Sequence, residues 1–451
     1  MKVAMARPSF SRRSFLLSSA ACGAALHSLT LPALLAQTAG GKRLRLASIG
    51  VGGMGASDLE SLSSHPAVDV VALCDVDSNN LGGAVAKHGK AKTFADFRRM
   101  FDEMAGQIDA VNIATPDHTH AAAAMTALNY GKHVYCQKPL THDVHESRQL
   151  RVVAEKTGLV TQMGTQIHST TPYRTAVKLV QSGIIGKVRE AHSWSSKTWG
   201  YDGADPAPSA APAALDWNLW LGTAQEIPYS DGQYHPANWR RWYDFGGGTM
   251  GDMAIHILDP VFTALKLTAP TTLLSSSSAA PKRSFGMQNQ TRFTFPGTEF
   301  TTDGFTLTWS DGGKMPDSAA WPLEGADGNR QPLPDQGSMF VGEKGFLLLP
   351  HVGMPQILPA KAFATTPIEA APNGDHYHLF VDACLGGKPT TCDFSYAGPL
   401  TEAVLLGTIA NRFPGNELRW QAEAMTIPNH DQADALLRRR YRKGFEVDNL
   451  S

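Results

Sequence analysis

The sequence has little excess charge of either sign. Its 451 residues carry 40 Lys and Arg against 41 Asp and Glu, a formal net charge of −1. Proteins that bind nucleic acid usually present a basic patch, so we expect no nucleic-acid partner. After the N-terminal segment, no run is long and apolar enough to cross a membrane. With 42% hydrophobic residues, the chain is long enough to bury large cores in about two domains.

Basic residues are concentrated in one short run near the C-terminus, residues 438–443. The run follows a helical pattern over residues 432–437. Cations favour the negative end of a helix dipole, so we predict that these side chains form a solvated helix end.

Cysteine is scarce, with five residues in the chain, and the spacing does not resemble a metal site, so we predict no metal. Cys74 and Cys136 fall at the ends of predicted strands, where a thiol acts as a small buried apolar group. Cys384 and Cys392 lie on either side of a turn, and a disulfide between them stays an open alternative in an oxidising compartment.

The N-terminal segment has the pattern of an export signal. Arg12 and Arg13 stand before an apolar, alanine-rich stretch that ends near Ala36. This pattern predicts a twin-arginine signal peptide over residues 1–39 and a periplasmic or secreted protein with no membrane anchor in its mature form. The partner would be the twin-arginine export machinery, which moves folded proteins, so we expect a tightly held cofactor that travels with the chain.

A glycine-rich turn follows the first apolar run, residues 46–49. Gly50, Gly52 and Gly55 form the G-x-G-x-x-G pattern of a strand, a tight turn and a helix start, with Gly53 and Met54 between the last two glycines. Such a turn brings helix N–H groups close to a pyrophosphate. A second strand ends before Asp75, where a carboxylate can bind the ribose hydroxyls. Asp75 would repel a 2′-phosphate, so we predict NAD, with NADP less favoured.

Strands and helices alternate through residues 40–165. This alternation predicts a doubly wound, parallel Rossmann domain with its ligand at the carboxyl ends of the strands. The predicted strands are 44–49, 68–73, 110–113, 133–136 and 160–163. The predicted helices include 121–129 and 144–155.

The pattern changes over residues 166–451, where we predict an α+β domain with a large, mostly antiparallel open sheet and a long loop at 197–245. The predicted strands are 188–195, 271–275, 284–288, 291–295, 304–309, 338–341 and 345–349. The predicted helices are 173–181, 376–383 and 397–410.

Three residues are candidates for catalysis. Lys138 follows a predicted strand and would face the cofactor, where an amine can hydrogen-bond a substrate oxygen. Asp252 and His256 stand four apart in a predicted helix and would share one face. A histidine can take a hydroxyl proton near neutral pH. A solvated lysine, a capping aspartate and a packed histidine are the alternatives.

Together these segments resemble the Gfo/Idh/MocA family, named for glucose–fructose oxidoreductase, inositol dehydrogenase and MocA. The resemblance implies that His256 accepts a proton while a hydride passes from a ring C–OH to the nicotinamide, with Lys138 orienting the oxygen and Asp252 supporting both. It also implies cofactor contacts from residues of three further segments, namely Ala114, Thr115, Pro116, His118, His120, Gln137 and Gln166.

One residue departs from the family pattern. The family has Glu-Lys-Pro where this chain has Gln137-Lys138-Pro139. The change removes a negative charge beside Lys138 and leaves the direction of the reaction open. Together with the twin-arginine segment, it is similar to a secreted branch of the family.

The long loop supplies the predicted substrate wall. Sugars offer C–H faces that stack on tryptophan and hydroxyls that need directional partners. The candidates are Trp217, His235, Trp239 and Arg240, with Tyr173, Lys197, His376 and His378 as further ones. The alternative is that these tryptophans only pack the loop.

Three functions compete at this point. The first is an exported NAD-dependent oxidoreductase that acts on a sugar or polyol. The second is an NAD-dependent glycosidase, which oxidises a ring carbon transiently, eliminates the glycosidic group and returns the hydride. The third is a non-catalytic relative that only binds sugar. The resemblance also implies a homo-oligomer.

Overall fold

The computed structural model describes residues 41–277, 282–325 and 328–451. The predicted signal peptide, residues 1–39, lies outside the described residues. Residues 43–451 form one compact unit.

Within the described residues, six strands form an all-parallel N-terminal sheet in the order β3-β2-β1-β4-β5-β6. The strands are β1 Leu44–Ile49, β2 Val68–Cys74, β3 Lys92–Phe94, β4 Ala110–Ile113, β5 His133–Gln137 and β6 Thr161–Gly164. The predicted doubly wound fold is confirmed. The edge strand β3 was missed because it has only three residues, of which two are exposed.

Helices connect these strands, namely α1 Met54–Ser63, α2 Ser78–Lys87, α3 Phe97–Met104, α4 Asp117–Asn129 and α5 Val144–Thr157. Local sequence sets their ends. Asp143 and Glu146 form a reciprocal capping box at the start of α5, and Gly158 ends it in a left-handed conformation. Helix α4 begins four residues before the predicted start at Ala121, directly after Pro116.

The second sheet contains eight of the described strands, in the order β13-β12-β11-β7-β10-β9-β8-β14. The strands are β7 Val188–Ser195, β8 Thr272–Ser275, β9 Gln290–Thr294, β10 Thr301–Ser310, β11 Gln336–Gly342, β12 Phe346–Pro350, β13 Gln356–Leu358 and β14 Glu417–Arg419. Neighbours are antiparallel except β7 and β10, so the prediction of a mostly antiparallel sheet is confirmed.

The predicted strand at 284–288 is wrong. Ser284 forms only an isolated bridge to Trp242, and the Phe285 amide donates to the Arg241 carbonyl at 3.1 Å. Phe285 packs on Tyr243 of the long loop, with ring centroids 4.2 Å apart, and Met287 is exposed, so the segment lies against the loop and not within the sheet.

The remaining helical elements are α6 Thr171–Gln181, α7 Trp217–Leu221, a π-helical turn Met250–Ala254, α8 Ile255–Ile257, α9 Asp259–Leu265, α10 His376–Cys384, α11 Phe394–Ala410 and α12 Asp431–Asp434. Helix α11 starts three residues before the predicted Ala397 because Asp393 accepts hydrogen bonds from two amides of its first turn. It packs on α5, and one continuous apolar core joins the two sheets.

The basic run near the C-terminus does not form the predicted helix end. Helix α12 stops at Asp434, before the run begins. Arg439 turns inward and pairs with the buried Glu146 at 2.7 Å. The charge of Arg439 is therefore part of a largely buried ion pair, which its position in the sequence does not reveal.

The described cysteines Cys74, Cys136, Cys384 and Cys392 are all buried. The Cys392 thiol lies 3.1 Å from the Thr165 hydroxyl and is not joined to Cys384 by a disulfide. Among the described residues, none of the helices combines the length and the apolarity needed to span a bilayer.

Candidate active site

A cavity of about 550 Å³ opens at the carboxyl ends of the parallel strands. The turns after β1, β2, β4 and β5 line one side of the cavity, and the long loop and His256 of α8 line the other. This is where an open parallel sheet places its ligand. We call this space the main cavity.

The glycine turn at one end of the main cavity is shaped for close approach. A Cβ on Gly55 would stand 2.1 Å from the Gly50 carbonyl oxygen, so α1 can pack on the turn only with glycine there. Gly53 has φ +52°, and a Cβ at this position would have nothing within 4 Å, which leaves open space above the backbone. The turn and the N-terminus of α1 therefore fit a pyrophosphate.

Asp75 also lines the main cavity. Its carboxylate accepts hydrogen bonds from the amides of Val51 at 2.8 Å and Asp77 at 2.9 Å, which fixes its orientation beside the glycine turn. Burial raises the pKa of Asp75 above its usual range. A fixed carboxylate at this position fits the ribose of NAD.

The segment after β4 contributes most of its predicted contacts. Ala114, Thr115, Pro116 and His120 line the main cavity, as do Met54, Gln137 and Gln166. His118 does not reach it, because α4 begins at Asp117 and turns this side chain toward the long loop. There His118 Nε2 lies 3.0 Å from the Trp220 carbonyl, so its predicted cofactor contact finds no support in the geometry.

Lys138 and Asp252 meet at the edge of the main cavity. Lys138 Nζ donates to Asp252 Oδ1 at 2.7 Å and to the Asp252 carbonyl at 3.1 Å. The indole N–H of Trp199 donates to Asp252 Oδ2 at 2.7 Å. Burial opposes the charge of this carboxylate, but the cations of Lys138 and Arg240 outweigh it and hold the pKa of Asp252 well below its usual range. Asp252 is therefore an anion that fixes the lysine.

His256 lines the same cavity as Lys138. Its Nδ1 is buried and has no hydrogen-bond partner among the described residues. Burial and the nearby Lys138 charge lower the pKa of His256 well below its usual range. The imidazole is thus neutral at pH 7, and one of its ring nitrogens is unprotonated. In the helix predicted to carry Asp252 and His256, Asp252 lies in the π-turn and His256 lies in α8, which follows it.

Gln137 has a partner that the sequence did not indicate. Its side-chain amide donates to both carboxylate oxygens of Asp58 on α1, at 3.1 and 2.9 Å, and its Oε1 accepts from the Lys138 amide. Burial raises the pKa of Asp58 to about 6, and Gln137 and Tyr377 partly offset that. The negative charge that is missing at position 137 is thus supplied by Asp58.

Sequence reasoning also missed His351, in the turn after β12. Its ring centroid lies 6.1 Å from that of His256, and its Nδ1 lies 2.8 Å from the Tyr173 hydroxyl. Burial, Lys197 and Lys138 lower the pKa of His351 to about 4. Tyr173 is 2% exposed and does not line the main cavity, so its predicted substrate contact finds no support in the geometry. No local pattern marks His351, because it reaches the site only through the second sheet.

A second missed residue is Asp117, which lines the main cavity and accepts from the Gly247 amide at 3.1 Å. Burial raises the pKa of Asp117 to about 7. It is a further carboxyl group within the site, and it lies where α4 meets the glycine-rich segment before the π-turn.

The predicted substrate wall is brought together in part. His235, Trp239 and Arg240 line the main cavity, and the Arg240 guanidinium lies 4.2 Å from the centre of the Trp239 ring. Trp217 does not line it. Its ring stacks on Trp220 at 4.7 Å and its N–H donates to the Ile227 carbonyl, so it packs the loop.

The remaining histidine candidates lie elsewhere. His376 is buried and bonded to Ser169 and to the Met163 carbonyl, and His378 contacts Ser64 near the protein surface. Within residues 41–277, 282–325 and 328–451, no three His, Cys, Asp or Glu side chains are grouped to hold a metal ion.

Fold and site together define an α/β protein with two sheets and a dinucleotide site on the parallel one. Two family models match it: an oxidoreductase family with an NAD-binding Rossmann fold over residues 44–165, and the C-terminal α/β domain of that family over residues 169–319. The chain belongs to the Gfo/Idh/MocA oxidoreductase family. Asp75 and the glycine turn are the features of this chain that fit the NAD bound by this family.

Comparison with curated proteins gives partial matches. A levoglucosan dehydrogenase of Pseudarthrobacter phenanthrenivorans is 26% identical over 176 residues, 39% of this chain and 37% of that protein. A glycosyl hydrolase family 109 protein of Stenotrophomonas maltophilia is 31% identical over 191 residues, 39% of this chain and 40% of that protein. The chain therefore matches about two fifths of each relative's length.

Comparison with solved structures extends over most of the chain. The WlbA dehydrogenase of Bordetella pertussis, solved with NADH and UDP-GlcNAcA, matches with a TM-score of 0.59 at 15% identity, covering 84% of this chain and 99% of that one. At this identity the likeness concerns the fold, which agrees with the architecture described above.

Proposed function

We propose that the protein is an NAD-dependent oxidoreductase that oxidises a ring C–OH of a sugar or polyol. The observation that carries this proposal is that Lys138 and His256 line the same cavity as the glycine turn and Asp75. The levoglucosan dehydrogenase relative supports a carbohydrate substrate.

In this proposal each residue of the cluster has one role. Bound NAD supplies the hydride acceptor. Lys138 donates a hydrogen bond to the substrate oxygen and stabilises negative charge that develops there. A ring nitrogen of the neutral His256 takes the hydroxyl proton. Asp252 remains ionised and holds Lys138 in place through the 2.7 Å ion pair.

The wall of the long loop would orient the sugar. Trp239 offers an apolar ring face and Arg240 offers hydrogen-bond donors at the mouth of the main cavity. A carbohydrate needs both kinds of contact. We assign the substrate contact of this wall to Trp239, Arg240 and His235.

A glycosidase is the second candidate function, because one curated relative is a glycosyl hydrolase. Oxidation of a ring carbon would acidify its neighbour, the glycosidic group would leave, water would add and the hydride would return. This reaction consumes no cofactor, and the same Lys138 and His256 would serve it.

One experiment separates the two functions. The purified protein, with its bound nicotinamide monitored by absorbance and fluorescence, is mixed with free sugars, polyols and chromogenic glycosides. Lasting reduction by a free sugar or polyol is the result expected for the oxidoreductase. Release of aglycone without lasting reduction would assign the glycosidase instead, and neither response from any compound would contradict both.

We also propose that the protein is exported through the twin-arginine route with NAD already bound. The support is the Arg12-Arg13 pair ahead of an apolar stretch. Cell fractionation is expected to find the protein outside the cytoplasm, and replacement of both arginines by lysine is expected to retain it inside. Unchanged export of that variant would contradict this route.

A further inference from the structure

A second cavity, of about 220 Å³, lies behind the wall of the main cavity. We call it the rear cavity. The two cavities share Thr223 among their lining residues. Gly246 and Gly247, which precede the π-turn, form one side of the rear cavity, and the segment with Arg438, Arg439 and Arg440 forms another.

Positive charge dominates this rear cavity. Arg412, Arg438 and Arg440 line it, and in the described part of the chain none of them forms an ion pair with a carboxylate. The Arg412 guanidinium lies instead 4.2 Å from the centre of the Tyr243 ring, and Arg438 donates to a backbone carbonyl. All three arginines are exposed, so they bring solvated positive charge, unmatched by an ion pair, to the rim of the rear cavity.

The two carboxylates that line the rear cavity do not cancel this charge. Asp244 is paired with Arg283 at 2.7 Å, and Asp143 lies 3.4 Å from Arg439. Burial and the neighbouring Glu146 raise the pKa of Asp143 well above its usual range. Asp244 is therefore matched by Arg283, and the raised pKa of Asp143 favours its neutral form, so neither acid offsets the charge of Arg412, Arg438 and Arg440.

Polar atoms of the lining residues are buried without partners. The Tyr243 hydroxyl and Arg439 Nη1 make no hydrogen bond with any described residue. A buried polar atom without a partner is costly, and structures normally satisfy such atoms with protein, water or ligand. The hydroxyl and the guanidinium N–H are donors, so the missing partner is an acceptor.

We propose that the rear cavity binds a small oxyanion, the phosphate or carboxylate group of a small molecule. Arginine is the residue that matches the planar, paired oxygens of these groups, and Tyr243 adds a donor. This site goes beyond the proposed function, because it is separate from the glycine turn that fits the NAD pyrophosphate.

The test is calorimetric titration of the NAD-saturated protein, so that the pyrophosphate site is already filled. Inorganic phosphate and acetate are titrated separately, with sodium chloride at matched ionic strength as the blank. Tyr243→Phe and Arg412→Gln are each expected to weaken anion binding about tenfold, since each removes one strong hydrogen-bonding or charged partner. Arg189→Gln removes an exposed arginine outside the rear cavity and is the matched control.

The outcomes are distinct from those of the proposed function, since no turnover is measured. Binding that Tyr243→Phe and Arg412→Gln weaken and Arg189→Gln leaves unchanged supports the site, and the tighter of the two anions identifies the group. No binding of either anion, or binding that neither cavity variant affects, overturns it. Circular dichroism of each variant shows that the fold is kept.

Discussion

At the scale of single residues, the sequence motifs identify the catalytic candidates, which lie close together in the structure. The motifs do not identify the residues that contact these candidates. Lys138, Asp252 and His256 follow a strand end and a glycine-rich turn, so local pattern and family resemblance identify them. Asp58 and His351 were not predicted, because nothing in their own neighbourhoods carries a signal. Both reach the site through tertiary packing.

The pairing of Gln137 with Asp58 predicts a pH-dependent loss of stability in Gln137→Glu. The change puts a second carboxylate against a buried one, so the folded pKa values of both groups rise. When a carboxyl pKa is higher in the folded than in the unfolded state, the folded protein is favoured at low pH. That stability is lost as the pH rises through the pKa of the folded state. We expect the free energy of unfolding to fall by about 3 kcal/mol at pH 8 and by much less at pH 4.

Denaturant unfolding across this pH range measures that prediction. The double variant Gln137→Glu with Asp58→Asn restores one donor facing one carboxylate, and it is expected to recover most of the loss. Equal destabilisation at both pH values, or no recovery in the double variant, would contradict the pairing.

Tyr173 is predicted to fix the tautomer of His351. His351 is its one hydrogen-bond partner among the described residues, so the phenol donates to Nδ1 and the proton of the neutral ring lies on Nε2. Tyr173→Phe removes this constraint and is expected to cost about 1 kcal/mol of stability and to lower kcat/KM about tenfold.

Nitrogen NMR of the His351 ring reports the tautomer directly, with a mixture expected in Tyr173→Phe. The exposed Tyr130 gives the matched control, Tyr130→Phe, which should leave both spectrum and kinetics unchanged. A His351 tautomer that does not change in Tyr173→Phe would rule out this role.

At the scale of elements, the sequence predicts strand limits best where an apolar run or a clear alternation has distinct ends. Strands β1, β4 and β7 were predicted to the residue because apolar runs or alternation bound them clearly. The three-residue β3 and β14 carry too little pattern. The segment at 284–288 alternates like a strand, yet it packs on a loop, which periodicity cannot distinguish from a sheet.

The junction of β1 and α1 gives a prediction at this scale. Gly55→Ala places a methyl group against the Gly50 carbonyl oxygen, at 2.1 Å without relaxation. Helix α1 must move away from the turn, so we expect a loss of about 1–3 kcal/mol of stability and at least about tenfold weaker NAD binding. Fluorescence titration with NAD and denaturant unfolding measure both effects.

Gly82 in α2 is the control for this change, since nothing lies within 4 Å of a Cβ built there. Gly82→Ala is expected to raise stability by about 0.5–1 kcal/mol through helix propensity and to leave NAD affinity unchanged. If Gly55→Ala bound NAD as tightly as Gly82→Ala, close packing at the glycine turn would not be needed for binding.

At the scale of the whole molecule, the sequence predicted the fold class and a parallel sheet followed along the chain by a mostly antiparallel one. It did not predict how the two sheets pack together. The docking depends on contacts between distant segments, such as α5 with α11 and Arg439 with Glu146. Contacts between residues so far apart in the chain leave no pattern of spacing that a single sequence could reveal. The predicted homo-oligomer and the domain limits at residues 40–165 and 166–451 stay predictions.

The bidentate pair of Arg148 with Glu402 joins α5 to α11 with two bonds of 2.7 Å, and the side chains are 15% and 6% exposed. Glu402→Gln leaves the arginine without its counter-charge. We expect the free energy of unfolding to fall by about 3 kcal/mol. The control Glu369→Gln breaks an exposed pair with Lys178 and should change stability little. A similar loss in both variants would show that the pair does not hold the helices together.

The central claim is that Lys138 and His256 perform the chemistry on a cofactor that other residues hold. The most direct measurement is single-turnover reduction of bound nicotinamide by the sugar or polyol that the substrate screen identifies, in wild type, Lys138→Met and His256→Gln. We predict that both variants keep NAD and lose at least about a hundredfold in the rate of reduction, as removal of a general base or a charged donor implies. Reduction at the wild-type rate in either variant, with NAD still bound, would contradict the account.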